Sequence, residues 1–465
     1  MTRFPSSSGP NFSLSILSSQ ILVAQPAGTV RLTTMRATIG HLALTALAAD
    51  LAAAFPFQPR GEKHTPKASP QDYLVSVGPR PYYLIHNMTE GPLKSKLESC
   101  QNTPGEITAW SIGHRGGGTL QIPEETVEST LAGARMGAGI LECDVSFTKD
   151  LGLVCRHDIC DLHTTTDILL RPELAAKCTK PFTPANATHS ASALCCTSDI
   201  TKDEFMSLCG KMDGSNSSAT TPEDYQHGTP FFRTELYDTC GQVMSLESYI
   251  DLVDSLPGYR NFTPELKTPP AAVPMPFNGY TQAQYSRDMI NTFVKKGISP
   301  DRVFAQSFTP ADIYLWLNEF PDFGKQAVFL DEDGDAPGNF TTAVNRLPAL
   351  KASGVNIISP PINYLLAVGG PDNKTVVPSD YALTAKKAGL DIISWSFERS
   401  GPLTRVAADD DYYYESVAPI MHYDGQMYEV LDVLGREIGV KAMFSDWSAT
   451  VTYYANCFGF KGPGN

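Results

Sequence analysis

The stretch 112–158, IGHRGGGTLQIPEETVESTLAGARMGAGILECDVSFTKDLGLVCRHD, decides how the rest of this chain is organised. It begins with His114, an arginine and three glycines, carries Glu142 and Asp144 in its middle, and ends with His157 and an aspartate. An apolar run precedes the first histidine, a helical pattern follows the glycines, and a second apolar run contains the carboxylates. Two imidazoles, a guanidinium and two carboxylates within one strand–helix–strand unit are suited to acid–base chemistry on a phosphate with a divalent metal.

The same alternation of strands and helices extends over most of the chain. Eight short apolar runs lie at 109–114, 138–145, 261–267, 301–308, 326–332, 355–360, 390–397 and 441–446. Helical patterns lie at 126–136, 245–255, 281–296, 310–319, 341–352, 378–388 and 424–438. Strands that alternate with helices are expected to be parallel, because each helix returns the chain to the start of the next strand. The fold class predicted for 109–457 is therefore α/β, a TIM (β/α)8 barrel.

A further apolar run follows the second strand after only the five residues TKDLG. A parallel crossover needs a dozen residues or more, so this link is too short for one. The segment 145–156 is therefore predicted to be a β-hairpin with its turn near Asp150. That register places His157 opposite Cys143, and so beside the two carboxylates that share the other side of the second strand.

Two long insertions interrupt the alternation. The first, 159–244, is too long for a structureless loop, and five cysteines crowd its central part at Cys160, Cys178, Cys195, Cys196 and Cys209. It is predicted to form a small disulfide-stapled subdomain beside the barrel mouth, although spacing alone does not give the pairing. The second, 398–423, is acidic and rich in aromatic residues, and it also follows the end of a strand.

The N-terminal region is predicted to contain a removable targeting segment. Residues 1–54 comprise a Ser/Thr-rich stretch and then, from Met35, an arginine, an apolar run and small residues before Phe55. This is the pattern of a secretory signal cleaved after Ala54, with Met35 as the expected true start. Residues 55–108 are predicted to be an N-terminal segment that Cys100 ties to the barrel.

Composition points to an extracellular protein and disfavours two classes of partner. The net charge is −14 and the pI about 5.1, whereas a nucleic-acid binder is expected to carry a basic face. No apolar run after the signal approaches membrane-spanning length, so no stable membrane anchor is expected. Ten cysteines and seven Asn-x-Ser/Thr sequons favour a secreted glycoprotein; the sequons are at Asn11, Asn87, Asn186, Asn216, Asn261, Asn339 and Asn373.

Three carboxylates are predicted to meet at the C-terminal ends of the strands, where TIM barrels carry their active sites. Glu142, Asp144 and Glu265 are candidate ligands for one divalent metal ion, calcium or magnesium, because such hard cations prefer carboxylate oxygens. The alternative is that these acids form salt bridges with Arg115 and Lys267.

The two histidines are predicted to act together. His114 and His157 are candidates for a general acid–base pair, since imidazole titrates near physiological pH. A lone histidine is more often structural, but these two converge on one group of carboxylates. Neither can be assigned to the acid or the base role from sequence.

The remaining candidates would bind the substrate. Arg115, next to three glycines, suits a phosphate through its guanidinium and the close approach of the backbone. Lys267 offers a second cation, unless it only balances Glu265. Phe308 and Trp395 are predicted to wall the pocket, with core packing as the alternative.

Two features are interpreted as structural. LDEDGDAPG at 330–338 hints at a calcium loop, but alanine occupies the position of the loop glycine and no closing glutamate follows. His163 is a lone histidine within the first insertion.

At these residues the chain resembles the glycerophosphodiester phosphodiesterase family of the phospholipase C-like phosphodiesterases, and most of all its secreted, cysteine-rich fungal type. The matching motifs are GHRGG at 113–117, PEET at 123–126, GAGILECDVSFTKD at 137–150, RHD at 156–158, PELK at 264–267, QSF at 306–308, SW at 394–395 and FSD at 444–446. The family usually has asparagine where Glu125 stands and proline soon after the final aspartate, where Trp447 follows Asp446. An added carboxylate at Glu125 is expected near the mouth, with an effect on head-group preference.

The resemblance implies a metal-dependent hydrolase that converts small glycerophosphodiesters into sn-glycerol 3-phosphate and an alcohol. It implies acid–base roles for His114 and His157, and it assigns the insertion to a capping subdomain that shapes the glycerol pocket. The alternative is a lipid-cleaving relative on the same barrel, of the phospholipase D or sphingomyelinase D-like kind. A catalytically silent binding glycoprotein is a third possibility, against which the intact histidines speak.

Overall fold

Eight parallel strands form a closed barrel in the computed structural model, which describes residues 74–237 and 240–464. The strands are β1 (Thr108–Gly113), β2 (Ala138–Phe147), β3 (Asn261–Leu266), β4 (Gln306–Ser307), β5 (Val328–Leu330), β6 (Ile357–Ser359), β7 (Asp391–Phe397) and β8 (Ala442–Ser445). Each strand pairs with the next, and β1 pairs with both β2 and β8, which closes the sheet. The predicted TIM barrel is confirmed.

A helix follows each strand and covers the outside of the barrel. The helices are α1 (Val127–Arg135), α2 (Leu246–Asp254), α3 (Gln282–Lys295), α4 (Pro310–Glu319), α5 (Phe340–Ala352), α6 (Asp380–Ala388), α7 (Gln426–Asp432, continued by the π-helical turn Val433–Ile438) and α8 (Ser448–Phe458). The first seven match the predicted helical patterns. The sequence did not predict α8, because its residues from Ser448 to Ala455 are all buried and the helix lacks a polar face.

The fourth strand is shorter than predicted. The run 301–308 begins in a 3₁₀ turn at Pro300–Arg302, and only Gln306–Ser307 joins the continuous ladder. Val303 makes one isolated parallel bridge to Phe262. The proline at the start of the turn lacks the backbone N–H that a ladder needs.

The predicted hairpin is confirmed. Residues Leu153–Cys155 pair antiparallel with β2, with Val145 opposite Cys155. The backbone N–H of Arg156 donates to the carbonyl of Asp144 at 2.6 Å, so the pairing continues for one more residue. His157 follows directly after this last contact, and it lines the same cavity as Glu142.

The first insertion has its own small core. A cluster of buried apolar side chains runs from Leu162 to Val243, separate from the core between the barrel and its helices. The secondary structure consists of short helices at Leu162–Thr165, Pro172–Ala175, Lys202–Ser207 and Pro222–Tyr225 and of two hairpins, Lys180–Thr183 with Ser192–Leu194 and Cys209–Gly210 with Gly241–Gln242. Three disulfides join Cys160 to Cys196, Cys178 to Cys195 and Cys209 to Cys240. Cys240 is thus a sixth cysteine of the insertion.

Two helices, Arg80–His86 and Pro92–Ser99, precede the barrel and pack against α7 and α8. The disulfide between Cys100 and Cys457 fixes this segment to the end of α8, as the sequence predicts for Cys100. With Cys143–Cys155, all ten cysteines are paired, and all ten lie within the described residues. The expected signal segment and Met35 lie outside them. Among the helices of residues 74–237 and 240–464, none is long and apolar enough to cross a membrane.

For one of the seven sequons, the prediction of a glycan is wrong. Asn261 is the first residue of β3 and only 1 % exposed, so a glycan there is incompatible with the barrel. Asn87, Asn186, Asn339 and Asn373 are exposed, and Asn216 is half-buried. Asn11 lies outside the described residues.

Candidate active site

The C-terminal ends of neighbouring strands bring the predicted polar residues together. Asp144 on β2 is the register partner of Glu265 on β3, and Glu265 is the partner of Gln306 on β4, so these three lie at one level of the barrel. Above them lies a small cavity of about 60 Å³. It is lined by His114, Arg115, Glu142, His157, Glu265, Lys267, Gln306, Phe308, Leu330, Trp395, Tyr413 and Phe444. Eight of the nine predicted site residues are in this lining, and the ninth, Asp144, is buried with 1 % exposure.

His114 leaves β1 at a tight turn, where Arg115 has a φ of 50° and Gly117 a φ of 93°. Its Nδ1 is 2.5 Å from a carboxylate oxygen of Asp446 and 3.0 Å from the hydroxyl of Ser396. Because Asp446 is ionised, the proton of the neutral ring lies on Nδ1, and this N–H donates a hydrogen bond to the carboxylate. Nε2 then presents a lone pair on the side of Glu142, whose Oε2 lies 3.9 Å away. Burial lowers the pKa of His114, although Asp446 opposes this effect.

Asp446 is held by two arginines as well as by His114. The guanidinium of Arg233 donates to its Oδ2 at 2.7 Å, and that of Arg399 donates to the same oxygen at 3.0 Å. Burial opposes ionisation of Asp446, but Arg399 and His114 hold the pKa of this carboxyl far below its usual range. Arg233 belongs to the first insertion, which therefore reaches into the site.

His157 follows the hairpin strand, and positively charged side chains lie near its ring. Burial lowers the pKa of His157 well below its usual value, and the charges of Arg115 and Lys267 lower it further. One nitrogen of its ring lies within 4.8 Å of carboxylate oxygens of Glu124 and Asp161. A bound anion offsets such a concentration of cations, so a phosphate favours the protonated form of His157.

Glu142 is fixed by two hydrogen bonds. Its Oε2 accepts the backbone N–H of Arg115 at 2.7 Å, and its Oε1 accepts the side-chain amide of Gln306 at 2.8 Å. Burial, with Asp144 and then Glu265 adding to it, raises the pKa of Glu142 well above its usual value. The sequence showed Gln306 within a matching motif but gave it no role.

Glu125 lies among the carboxylates and not near the mouth, so the expectation from sequence is wrong on this point. It has a φ of 57° and is only 1 % exposed, because the turn that begins at His114 directs it inward. Its carboxylate, Glu142 and Asp144 each offer one oxygen, and these oxygens all lie within 4.8 Å of one another. Burial and the neighbouring charge of Asp144 raise the pKa of Glu125 well above its usual value.

This oxygen cluster fits a hard divalent cation. Both carboxylate oxygens of Glu125 and Oδ2 of Asp144 are buried and accept no hydrogen bond from the part of the chain that the structure describes. Burying several acids close together with some of their oxygens lacking a hydrogen bond is costly, and a cation removes that cost. Glu265 is adjacent, but the Nζ of Lys267 lies 2.5 Å from its Oε1. Lys267 thus contacts two of the predicted trio, Asp144 and Glu265, while Glu142 lies with Asp144 and a fourth carboxylate, Glu125.

The two predicted phosphate-binding cations contact acids and also line the cavity. Nη1 of Arg115 is 3.0 Å from both carboxylate oxygens of Glu124, while its Nε is 3.8 Å from Asp144 and has no hydrogen-bond acceptor within the described chain. Lys267 Nζ is also 3.6 Å from Asp144. The salt bridges of the alternative interpretation are present, and both side chains also line the cavity.

The acidic stretch 330–338 has a structural role, in line with its interpretation from sequence. Asp331 and Asp333 both pair with Arg346. Asp335 accepts the hydroxyl groups of Tyr364 at 2.6 Å and Tyr412 at 2.9 Å. His163 accepts the backbone N–H of Cys195, also a structural contact.

The sequence reasoning missed Arg233 and Arg399, which hold Asp446. Asp446 itself was visible as a polar residue at a strand end, a position that favours function in this fold. The two arginines lie in the insertions 159–244 and 398–423, where no motif or regular spacing indicates which residue turns towards the barrel.

Comparison of the chain with known proteins identifies a family that it matches. A model of the glycerophosphoryl diester phosphodiesterase family matches residues 114–446, from His114 to Asp446. An Arthroderma benhamiae protein named extracellular protein is 49% identical over 249 residues, which are 53% of this chain and 99% of the relative. Glycerophosphodiester phosphodiesterase GDPD6 of Arabidopsis thaliana is 22% identical over 396 residues, covering 82% of this chain and 93% of the relative.

Among solved structures, an Oleispira antarctica phosphodiesterase in complex with sn-glycerol-3-phosphate is 15% identical, with a TM-score of 0.43, and the match covers 74% of this chain and 96% of the other. The family model spans more than two thirds of the chain and contains both histidines and all four buried carboxylates. The chain therefore belongs to the glycerophosphoryl diester phosphodiesterase family of hydrolases.

Proposed function

We propose that this enzyme cleaves glycerophosphodiesters into sn-glycerol 3-phosphate and an alcohol, with a divalent metal ion and two histidines. The observation that carries the proposal is the shared cavity, in which His114 and His157 face a carboxylate cluster and two cations. These are the groups that transfer of a phosphoryl group between oxygens requires: proton donors and acceptors, and positive charge near the phosphate.

His114 is proposed as the general base. Its Nδ1–H is committed to Asp446, so Nε2 is free to accept a proton, and it lies on the side of Glu142. In this scheme Nε2 removes the proton from the glycerol hydroxyl next to the phosphate as that hydroxyl attacks phosphorus. The ring is oriented for this task by the carboxylate, as in other histidine–aspartate pairs.

His157 is proposed as the general acid. Burial, and then its cationic neighbours, lower the pKa of His157, whereas a bound anionic phosphodiester would favour the protonated ring. The protonated ring donates to the leaving alcohol. Water opens the resulting cyclic phosphate with the two histidines exchanging roles.

Glu142 and Asp144, with Glu265 and Glu125 beside them, are proposed to hold one calcium or magnesium ion. Such an ion, when bound, polarises a phosphate oxygen and lowers the pKa of the attacking hydroxyl. Arg115 and Lys267 are proposed to contact the remaining phosphate oxygens, which is supported by their place in the cavity lining and by the Nε of Arg115, which makes no hydrogen bond within the described chain.

The experiment is a product assay for glycerol 3-phosphate with several glycerophosphodiesters and with a lysophospholipid, with and without chelator. We expect turnover of the diesters that chelation abolishes and that added calcium or magnesium restores. His114→Ala and His157→Ala should each lower kcat by about 100-fold or more. Turnover that survives chelation would contradict the metal, and a preference for the lysophospholipid would favour the lipid-cleaving alternative.

We further propose that the protein is secreted. Five disulfides, which persist in oxidising compartments, and the name of the Arthroderma benhamiae relative support this. Expression of the full sequence in a fungal host should release the enzyme into the medium with Phe55 as its first residue. Retention inside the cell would contradict the proposal.

A further inference from the structure

The helix Arg80–His86, which precedes the barrel, contacts both ends of the second insertion. At the start of the insertion, Arg80 donates to both carboxylate oxygens of Glu398, through Nε at 3.1 and 3.2 Å and through Nη2 at 2.7 Å. Just past its end, the hydroxyl of Tyr83 donates to the carboxylate of Asp424 at 2.9 Å. These contacts connect a segment outside the barrel to the loop that follows β7.

Glu398 is the first residue after β7, and its backbone is in the left-handed region. Its φ is 60°, which a residue other than glycine adopts only at a cost in free energy. Its side chain is buried, and besides the guanidinium of Arg80 it accepts the hydroxyl of Thr450 on α8. A strained residue persists where its surroundings hold it, and Arg80 and Thr450 hold this one.

The backbone at Glu398 directs the next residue, Arg399, towards the site. Nη1 of Arg399 donates to Oδ2 of Asp446 at 3.0 Å, the same oxygen that Arg233 contacts. The two guanidinium groups repel each other, and burial and then the charge of Arg399 lower the pKa of Arg233. The side chain of Arg399 is also partly exposed, so water offers it another position. Its place on Asp446 therefore depends on the backbone that carries it.

We propose that Arg80 is a positioning residue for the reaction. Its ion pair with Glu398 holds Arg399 on Asp446, and Asp446 in turn orients the ring of His114. The N-terminal segment, which lies before the residues that the family model matches, thereby contributes to the site. This inference rests on the proposed function, in which His114 is the base.

The first test is Arg80→Ala. We expect kcat to fall by about tenfold, within the range of energies that residues of one salt-bridge network share. KM should change little, because Arg80, Glu398 and Arg399 are not among the residues that line the catalytic cavity. Arg80→Lys keeps the charge but not the two-armed contact, so it should restore part of the loss. A native kcat in Arg80→Ala would overturn the proposal.

Arg287→Ala is the matched control. Arg287 makes a two-armed ion pair with Glu319, with both contacts at 2.7 Å, between α3 and α4 on the outside of the barrel. Its loss should leave kcat unchanged. An equal fall of kcat in Arg80→Ala and Arg287→Ala would show a general effect on the fold and would also overturn the proposal.

Glu398→Gly separates positioning from folding. Glycine adopts a φ of 60° without strain, so this variant loses the contact with Arg80 but accepts the native backbone. We expect a thermal midpoint close to that of the native protein and a kcat as low as that of Arg80→Ala. A native kcat would show that the ion pair positions nothing.

A double variant shows whether Arg80 acts through Arg399. Arg399→Ala should itself lower kcat, and the addition of Arg80→Ala should lower it no further, because both changes remove the same contact with Asp446. Losses that multiply would contradict this route.

Proton NMR tests the positioning role without turnover. The Nδ1 proton of His114, in its hydrogen bond with Asp446, should give a far-downfield signal that is absent from His114→Ala. Arg80→Ala should shift or broaden this signal, and Arg287→Ala should not. If no diester is cleaved but the signal changes in Arg80→Ala, the positioning role stands and the proposed reaction is wrong. If diesters are cleaved while Arg80→Ala changes neither the signal nor kcat, the reaction stands and the positioning role is wrong.

Discussion

Asp446 accepts hydrogen bonds from a histidine and two arginines, and this concentration of donors on one buried carboxylate fixes the ring of His114, the proposed base. The carboxylate keeps the proton of His114 on Nδ1 and leaves Nε2 unprotonated. The role of Asp446 is thus to position His114, although it does not touch the cavity itself.

Asp446→Asn removes the charge but keeps the shape. We expect kcat to fall by about 100-fold or more, because the amide no longer holds the ring in the tautomer that the base needs, while KM changes little. Steady-state kinetics measures this, and thermal unfolding checks that the variant is folded. In the double variant with His114→Ala, the two losses should not add. Additive losses would show that Asp446 acts independently of His114.

Glu125→Gln tests the fourth carboxylate without using turnover. We expect the affinity for calcium, measured by calorimetry, to fall by about tenfold or more, since one oxygen ligand loses its charge. Glu223→Gln, an exposed acid on the short helix Pro222–Tyr225, is the control and should bind calcium as the native protein does. Unchanged affinity in Glu125→Gln would remove this residue from the metal site.

At the residue scale, the sequence predicted which side chains lie together where a motif and a strand end coincide. His114, Glu142 and Glu265 are examples, since strand register determines where their side chains meet. Glu125 was misplaced because its direction depends on a turn with left-handed backbone angles, which no period of two or 3.6 residues describes.

At the scale of elements, the hairpin after β2 is the part that delivers His157. The disulfide between Cys143 and Cys155 clamps it within 12 residues of sequence, and the hairpin strand itself is only three residues long. A strand this short depends on its covalent clamp to hold its position.

The double variant Cys143→Ala/Cys155→Ala should therefore lose both stability and activity. We expect the free energy of unfolding, measured in denaturant, to fall by about 2–3 kcal/mol. We also expect kcat to fall, because His157 is no longer held in position. Cys178→Ala/Cys195→Ala is the matched control, since it opens a loop of similar size, 17 residues, inside the insertion. It should lose similar stability but keep kcat. A similar kcat in the two double variants would show that the hairpin does not need its clamp.

The elements that sequence predicted least well are those without an amphipathic pattern. Helix α8 is buried on all sides, and β4 contributes two residues to the ladder, so neither has the period that reveals a helix or strand. The hairpin was predictable for the opposite reason, because a five-residue link excludes every other connection between its strands.

At the scale of the whole molecule, exposure should decide which sequons carry glycans. Asn339 and Asn373 are exposed, and Asn261 is buried in β3. Peptide mass spectrometry of the secreted protein should find glycans at Asn339 and Asn373 and none at Asn261. A glycan at Asn261 would contradict the position of β3 in the barrel.

The barrel itself was predictable because strand and helix alternate along the chain. The contacts between the two insertions and the C-terminal side of the barrel were not predictable. Arg233 meets Asp446 across 213 residues of sequence, and a contact at that distance leaves no local pattern. The same holds for Tyr412 and Asp335, which join the second insertion to the loop after β5.

The contact between Arg233 and Asp446 also bears on the time at which the enzyme becomes active. Asp446 follows the last strand, and that strand has to pair with β1 before the barrel closes. A nascent chain can complete its insertion and its hairpin before β8 has been made, yet His114 lacks its aspartate partner until Asp446, which follows β8, is in place. The proposed base is therefore complete only after β8 has joined the barrel, later than the hairpin and the insertion that lie before it in the chain.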